Sequence, residues 1–104
     1  MAQFDVYLNP LEDLRQSHPF VIEIQSNLLK RPVALIVIPL ARLAQGSEAV
    51  TLLNPSLAVG DESLVLETLA ITSFQPGELR GPVANLDQHA SVIWDALDFA
   101  LHGY

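Results

Sequence analysis

The sequence predicts a small, mainly β domain: an antiparallel barrel or sandwich of short strands with one helix packed on it. Three observations carry this. Apolar residues alternate with period two in the N-terminal part, a glycine-centred hairpin signal lies mid-chain, and sustained helical periodicity closes the chain. With 104 residues and half of them hydrophobic, the chain is expected to form one domain over residues 1–104, with a single core.

The elements follow in order. Phe4, Val6 and Leu8 alternate with Asp5 and Tyr7, the period of a half-buried strand. Asn9 to Pro19 is polar and proline-bounded and reads as a loop. Phe20, Ile22 and Ile24 alternate with Val21, Glu23 and Gln25 in a second strand. Pro32 marks a turn, and Val33 to Ile38 is a third strand, apolar on both sides, which Pro39 and Leu40 end. Such a strand is central in the sheet or covered by a second layer. Ala41 to Val50 fits either a loop or a short helical turn. Leu57 to Val59 and Leu64 to Leu66 flank Gly60-Asp61, and glycine suits the positive φ of a primed hairpin turn. Thr68 to Phe74 continues the second hairpin strand. Pro76-Gly77 and Gly81-Pro82 break the chain before a helix that starts near Leu86 or Asp87.

That helix carries Ala90, Ile93, Trp94, Leu97, Ala100 and Leu101 on one face, and core packing is the expected role of Trp94. A second apolar stripe holds Val92, Ala96 and Phe99. One barrel of this size has difficulty covering both stripes, so a homodimer is expected. Asp95 and Asp98 lie in the last two turns, where the helix dipole favours cations. Gly103 is expected to end the helix in the left-handed conformation, directing Tyr104 off the packed face. A helix that places charge unfavourably and ends in an aromatic suggests a terminus built for binding.

Composition narrows the function. The formal net charge is −7, with Arg15, Lys30, Arg31, Arg42 and Arg80 the fixed cations. Nucleic-acid binding needs cations clustered on one face, and Lys30-Arg31, the one basic doublet, reads as a solvated turn. Direct DNA or RNA binding is disfavoured. With no cysteine, disulfide frameworks, thiolate zinc sites and cysteine nucleophiles are excluded, and a reducing cytoplasm is the natural setting. No signal peptide is recognised. The longest apolar run, Val33 to Leu40, falls short of the roughly 20 residues that span a bilayer.

Candidate chemistry is sparse. His18 and His89 read as surface residues. Asp98 and His102, spaced i and i+4, face each other on the helix, but two ligands do not make a metal site. No Walker A loop, dinucleotide fingerprint or nucleophile elbow occurs. The reading is a protein without catalytic residues, metal or cofactor. Leu28-Leu29 follows Gln25-Ser26-Asn27, and two readings stay open: a cap on the core, or an exposed apolar contact. Neighbours in a strand point to opposite faces, so burying both is difficult.

At these residues the chain resembles the CcdB family of toxins from plasmid-type toxin–antitoxin pairs. Gln3-Phe4 with Val6-Tyr7 resembles the family's opening strand, and Ile24 to Leu29 resembles its VQSDII segment. Val37-Ile38-Pro39-Leu40 matches VIPL, Leu53-Asn54-Pro55 falls at LYP, Gly60 to Ser63 matches GDES, and Val83 to Leu86 resembles VADL. The order and spacing run end to end. The resemblance implies a homodimer of SH3-like barrels with a C-terminal helix, a fold shared with MazF-type ribonucleases. It implies a protein that binds the DNA gyrase A subunit and traps the cleaved gyrase–DNA complex. A CcdA-like antitoxin is implied to remove it, and the toxin–antitoxin complex to repress its own operon, so that DNA is met only indirectly. Carried over, the gyrase-binding residues are Leu28, Leu29, Asp98, Leu101, His102, Gly103 and Tyr104. The chain departs from the family ending, Trp-Gly-Ile, with His102-Gly103-Tyr104. Trp94 cannot replace that tryptophan, since it lies about 12 Å back along the axis at 1.5 Å per residue. The alternative readings are a MazF-like endoribonuclease or a diverged, non-toxic relative. The negative charge opposes the former.

Overall fold

The computed structural model describes residues 2–43 and 51–103. Among the described residues, seven strands and one α-helix make a nearly closed, antiparallel barrel with the helix last. The strands are β1 (Asp5–Leu8), β2 (Phe20–Glu23), β3 (Leu35–Arg42), β4 (Ser56–Val59), β5 (Glu62–Leu66), β6 (Thr72–Phe74) and β7 (Ala84–Asn85). The helix, α1, is Ala90–His102. Strand order is β4-β5-β3-β2-β1-β7, with β6 also pairing with β3.

The sheet is covered on both faces, and that explains its apolar pattern. One face carries Val6, Ile22, Ile38, Leu40, Leu64 and Leu66 under Ile93, Ala96 and Leu97 of α1. The other carries Tyr7, Val21, Leu35 and Val37 against Leu79 and Phe74. Strand β3 is therefore central and two-sided, as its composition indicates. The same arrangement corrects the half-buried reading of the first strands. Asp5, Tyr7, Glu23 and Gln25, the polar members of the alternation, are buried.

Strand β3 also runs through Pro39 to Arg42 instead of stopping there. Proline lacks the amide donor and is confined to places where none is needed. Pro39 sits where the lateral partner of β3 changes, from β6 at residues 35–37 to β5 at residues 40–42. Its carbonyl faces that seam, accepting the Glu67 N–H at 3.0 Å, so its missing N–H costs no ladder bond. Opposite the seam, β5 and β6 are not one continuous strand. Leu66 pairs with Leu40 and Thr72 with Val37, leaving residues 67–71 to make an excursion. A 3₁₀ turn, Thr68–Ala70, fills it, and the buried Thr68 hydroxyl donates to Leu53 O at 2.6 Å.

The hairpin forms as expected, with Val59 opposite Glu62 and Gly60 at φ +61°. The Asn9 to Pro19 loop contains a short 3₁₀ turn, Glu12–Leu14. Ala41 and Arg42 belong to β3, and the expectation for residues 44–50 lies outside the described residues. Another 3₁₀ turn, Asp87–His89, leads into α1. The buried line of α1 is Ile93, Ala96 and Leu97, so Ala96 belongs to the core stripe and not to the second one. Trp94 is 40% exposed and packs edge-on against Phe4 at 5.5 Å. It sits at the rim of the core, not inside it.

Phe4 has φ +71°, a strained region for a bulky residue that costs about 1–3 kcal/mol. Its N–H donates to Glu23 O at 2.6 Å and its carbonyl accepts Leu86 N–H at 2.9 Å. Those bonds and the Trp94 contact hold it there, joining β2, the approach to α1 and the helix at one point.

Candidate partner-binding site

The connection between β2 and β3 is braced at its base and open at its apex. The buried Gln25 side chain spans it, donating from Nε2 to Ala34 O at 3.0 Å and accepting Ile36 N–H at 3.1 Å. Asn27 Oδ1 accepts Gln3 N–H at 2.8 Å, and Gln3 Nε2 donates to Ile24 O at 3.0 Å. Ser26 turns the chain, its hydroxyl accepting Leu28 N–H at 3.0 Å and its carbonyl accepting Leu29 N–H at 3.3 Å. With both ends tied this way, Leu28 is 86% and Leu29 59% exposed. The pair is therefore exposed and does not cap the core. Leu29 also walls a cleft of about 380 Å³ whose other sides include Glu23, Gln25, Pro32 and Leu35.

The second set of candidates lies at the end of α1. Asp98, Leu101 and His102 fall at i, i+3 and i+4, which places them on one helical face, and all are exposed. Leu101 is 75% exposed. Gly103 is left-handed at φ +79°, and its N–H donates to Phe99 O at 3.0 Å. This is the helix stop that the sequence indicates. The expected orientation of Tyr104 lies outside the described residues. The helix thus gathers Asp98, Leu101, His102 and Gly103, while Leu28 and Leu29 come from a separate connection.

Two polar clusters were not legible in the sequence. The Tyr7 hydroxyl lies between two buried carboxylates, 3.4 Å from Asp5 Oδ2 and 3.3 Å from Glu23 Oε1. Asp5 has further donors in Ala2 N–H (2.8 Å) and Asn85 Nδ2 (3.0 Å). Burial pushes the Glu23 carboxyl above its ordinary value. The Tyr7 hydrogen bond opposes this, the Asp5 charge reinforces it and the amino terminus opposes it. Tyr7 itself is pushed up by burial and then by both carboxylates. The period-two pattern offers a clue, since these polar residues share a face, but it cannot show that the face is covered.

The second cluster is His18, which reads as a surface residue and is instead partly buried. Its Nε2 lies 2.6 Å from Glu67 Oε1 and its Nδ1 lies 2.7 Å from Ser17 Oγ. Ser17 Oγ also donates to Leu14 O at 3.2 Å. The row of hydroxyl, imidazole and carboxylate ties the loop before β2 to the residue after β5. No local signal announces it, because the partners are distant in sequence.

Among the described residues, no group of three or more His, Asp or Glu is placed to hold a metal. No helix among them is long and apolar enough to cross a membrane. Compared with known families, residues 3–103 match the model of the CcdB protein. The chain belongs to the CcdB family. CcdB membership makes it a toxin of a toxin–antitoxin system. No curated protein matches the chain.

Proposed function

We propose that this CcdB-family protein binds the A subunit of DNA gyrase and traps the cleaved gyrase–DNA complex in the cytoplasm. A CcdA-like antitoxin neutralises it, and the two together repress their operon. The observation that carries the reading is the braced apex with adjacent leucines turned to water. A folded chain gains about 1.5–3 kcal/mol by burying a leucine, and here two are withheld from the core by a connection that hydrogen bonds hold open. An exposed aliphatic pair at that place is what the family resemblance assigns to gyrase contact. Asp98, Leu101, His102, Gly103 and Tyr104 complete the contact from the helix end.

The protein acts as a homodimer. Val92 and Phe99 on the outer flank of α1 are part-exposed, and a symmetric second copy would cover them. Dimerisation would also repeat the binding residues about a twofold axis. The ribonuclease reading draws no support from the net charge of −7, and two of the five fixed cations are already engaged within the fold. Arg42 is engaged with Glu62 and the carbonyl of Gln16, and Arg15 with the carbonyl of Asn9.

Expression of the chain in a bacterium separates the readings. Double-strand DNA breaks that vanish in a strain with a gyrase A subunit resistant to the protein support gyrase poisoning. Cleaved transcripts with intact DNA would support the ribonuclease.

A further inference from the structure

Lys30 and Arg31 follow directly on the exposed leucines and are two of the five fixed cations in a chain of net charge −7. Both are exposed. Among the described residues neither side chain makes a hydrogen bond or an ion pair, unlike Arg15 and Arg42; Arg80 is likewise exposed and unengaged but stands alone in sequence. Val33, two positions further on, is 90% exposed. Arg31 sits at φ +49°, a conformation that suits glycine far better than a residue with a side chain. No packing accounts for a side chain there, since residues 26–31 are all exposed.

We propose that Lys30 and Arg31 are a charged half of the partner contact: they engage an acidic patch that borders an apolar seat for Leu28, Leu29 and Val33. This rests on the gyrase reading and adds to it the chemistry of the surface recognised. An anionic protein is repelled by an acidic surface over most of its own face. At the apex two adjacent exposed cations reverse that repulsion, so the encounter favours the orientation that brings the leucines in first. Charges of this kind act on association and its salt dependence. Desolvated leucines act on residence time. The two halves of the contact therefore have separable kinetic signatures.

The test uses the full chain and purified gyrase A subunit, with association and dissociation rates measured at low and high salt. Lys30→Gln with Arg31→Gln is expected to slow association about tenfold at low salt and to flatten its salt dependence, with dissociation little changed. Leu28→Ala with Leu29→Ala should instead speed dissociation. Arg31→Gly relieves the backbone and should leave the melting temperature equal or higher while still slowing association. A purely structural arginine would not give that combination. Unchanged association by both cation variants, with the parent binding normally, overturns the inference and leaves gyrase recognition standing. Faster association on removing the cations would also overturn it, since the partner surface would then be basic. A parent chain with no affinity for gyrase A overturns both.

Discussion

Tyr7 shows how much one residue can organise. Its single hydroxyl proton is offered to two buried carboxylates, Asp5 and Glu23, and cannot satisfy both fully. Burial, reinforced by the Asp5 charge, raises the Glu23 carboxyl above its ordinary value. The folded state thus binds a proton more readily than the unfolded state. This contribution is fully present below the ordinary carboxyl range and is lost as pH rises through the elevated value. Glu23→Gln should keep the hydrogen-bonded shape without the charge. Its melting temperature relative to the parent should rise as the pH climbs above the ordinary carboxyl range and through the elevated value. A difference that stays flat, or moves the other way, would show that Glu23 is ionised at no cost. Tyr7→Phe should destabilise by about 1–3 kcal/mol, the usual range when a buried acceptor loses its partner. Denaturant unfolding checks this.

The elements show what the sequence could and could not disclose. Short strands, the Gly60 hairpin and the Gly103 stop were legible because each depends on a local signal: alternation, or a φ that glycine accepts. The continuation of β3 through Pro39 was not, because a proline's cost depends on which neighbour faces its nitrogen. Likewise the excursion at Thr68–Ala70 exists only because β3 serves two strands in turn, which no window of sequence reveals. Helix α1 was legible as a helix, but its buried line was displaced onto Ala96, since a small side chain carries little hydrophobic signal. At the candidate site the sequence left Leu28 and Leu29 open between a cap on the core and an exposed contact, because strand alternation does not govern a pair that lies beyond the end of β2. The Gln25 and Asn27 braces that keep them out required the structure. Two outcomes follow at this scale. Leu28→Ala with Leu29→Ala should leave the melting temperature within a few degrees of the parent, since less than half of either side chain is covered. Loss of several kcal/mol, as for buried leucines, would place them in the core after all. Deleting Gly103-Tyr104 should leave the fold intact, because the helix is already complete at His102, while gyrase binding is lost. A truncated protein with full toxicity would remove the helix end from the contact.

For the whole molecule, the proposed function rests on what the CcdB-type barrel leaves uncovered. Among the described residues the polar groups inside the sheet are paired, and the exposed apolar side chains include those of the β2–β3 apex and the outer side of α1. The latter is expected to be buried in a symmetric dimer. Sedimentation at micromolar concentration should give twice the chain mass, and a monomer would contradict it. On the proposed reading the apex and the helix end are then left for gyrase and, in turn, for the antitoxin. The most direct measurement mixes the purified protein with gyrase, ATP and supercoiled plasmid, then traps covalent complexes with detergent. Linear DNA should accumulate with the parent chain and fall sharply with Leu28→Ala/Leu29→Ala. No linear DNA at saturating protein, with gyrase active in the same tube, would contradict gyrase poisoning as the function of this fold.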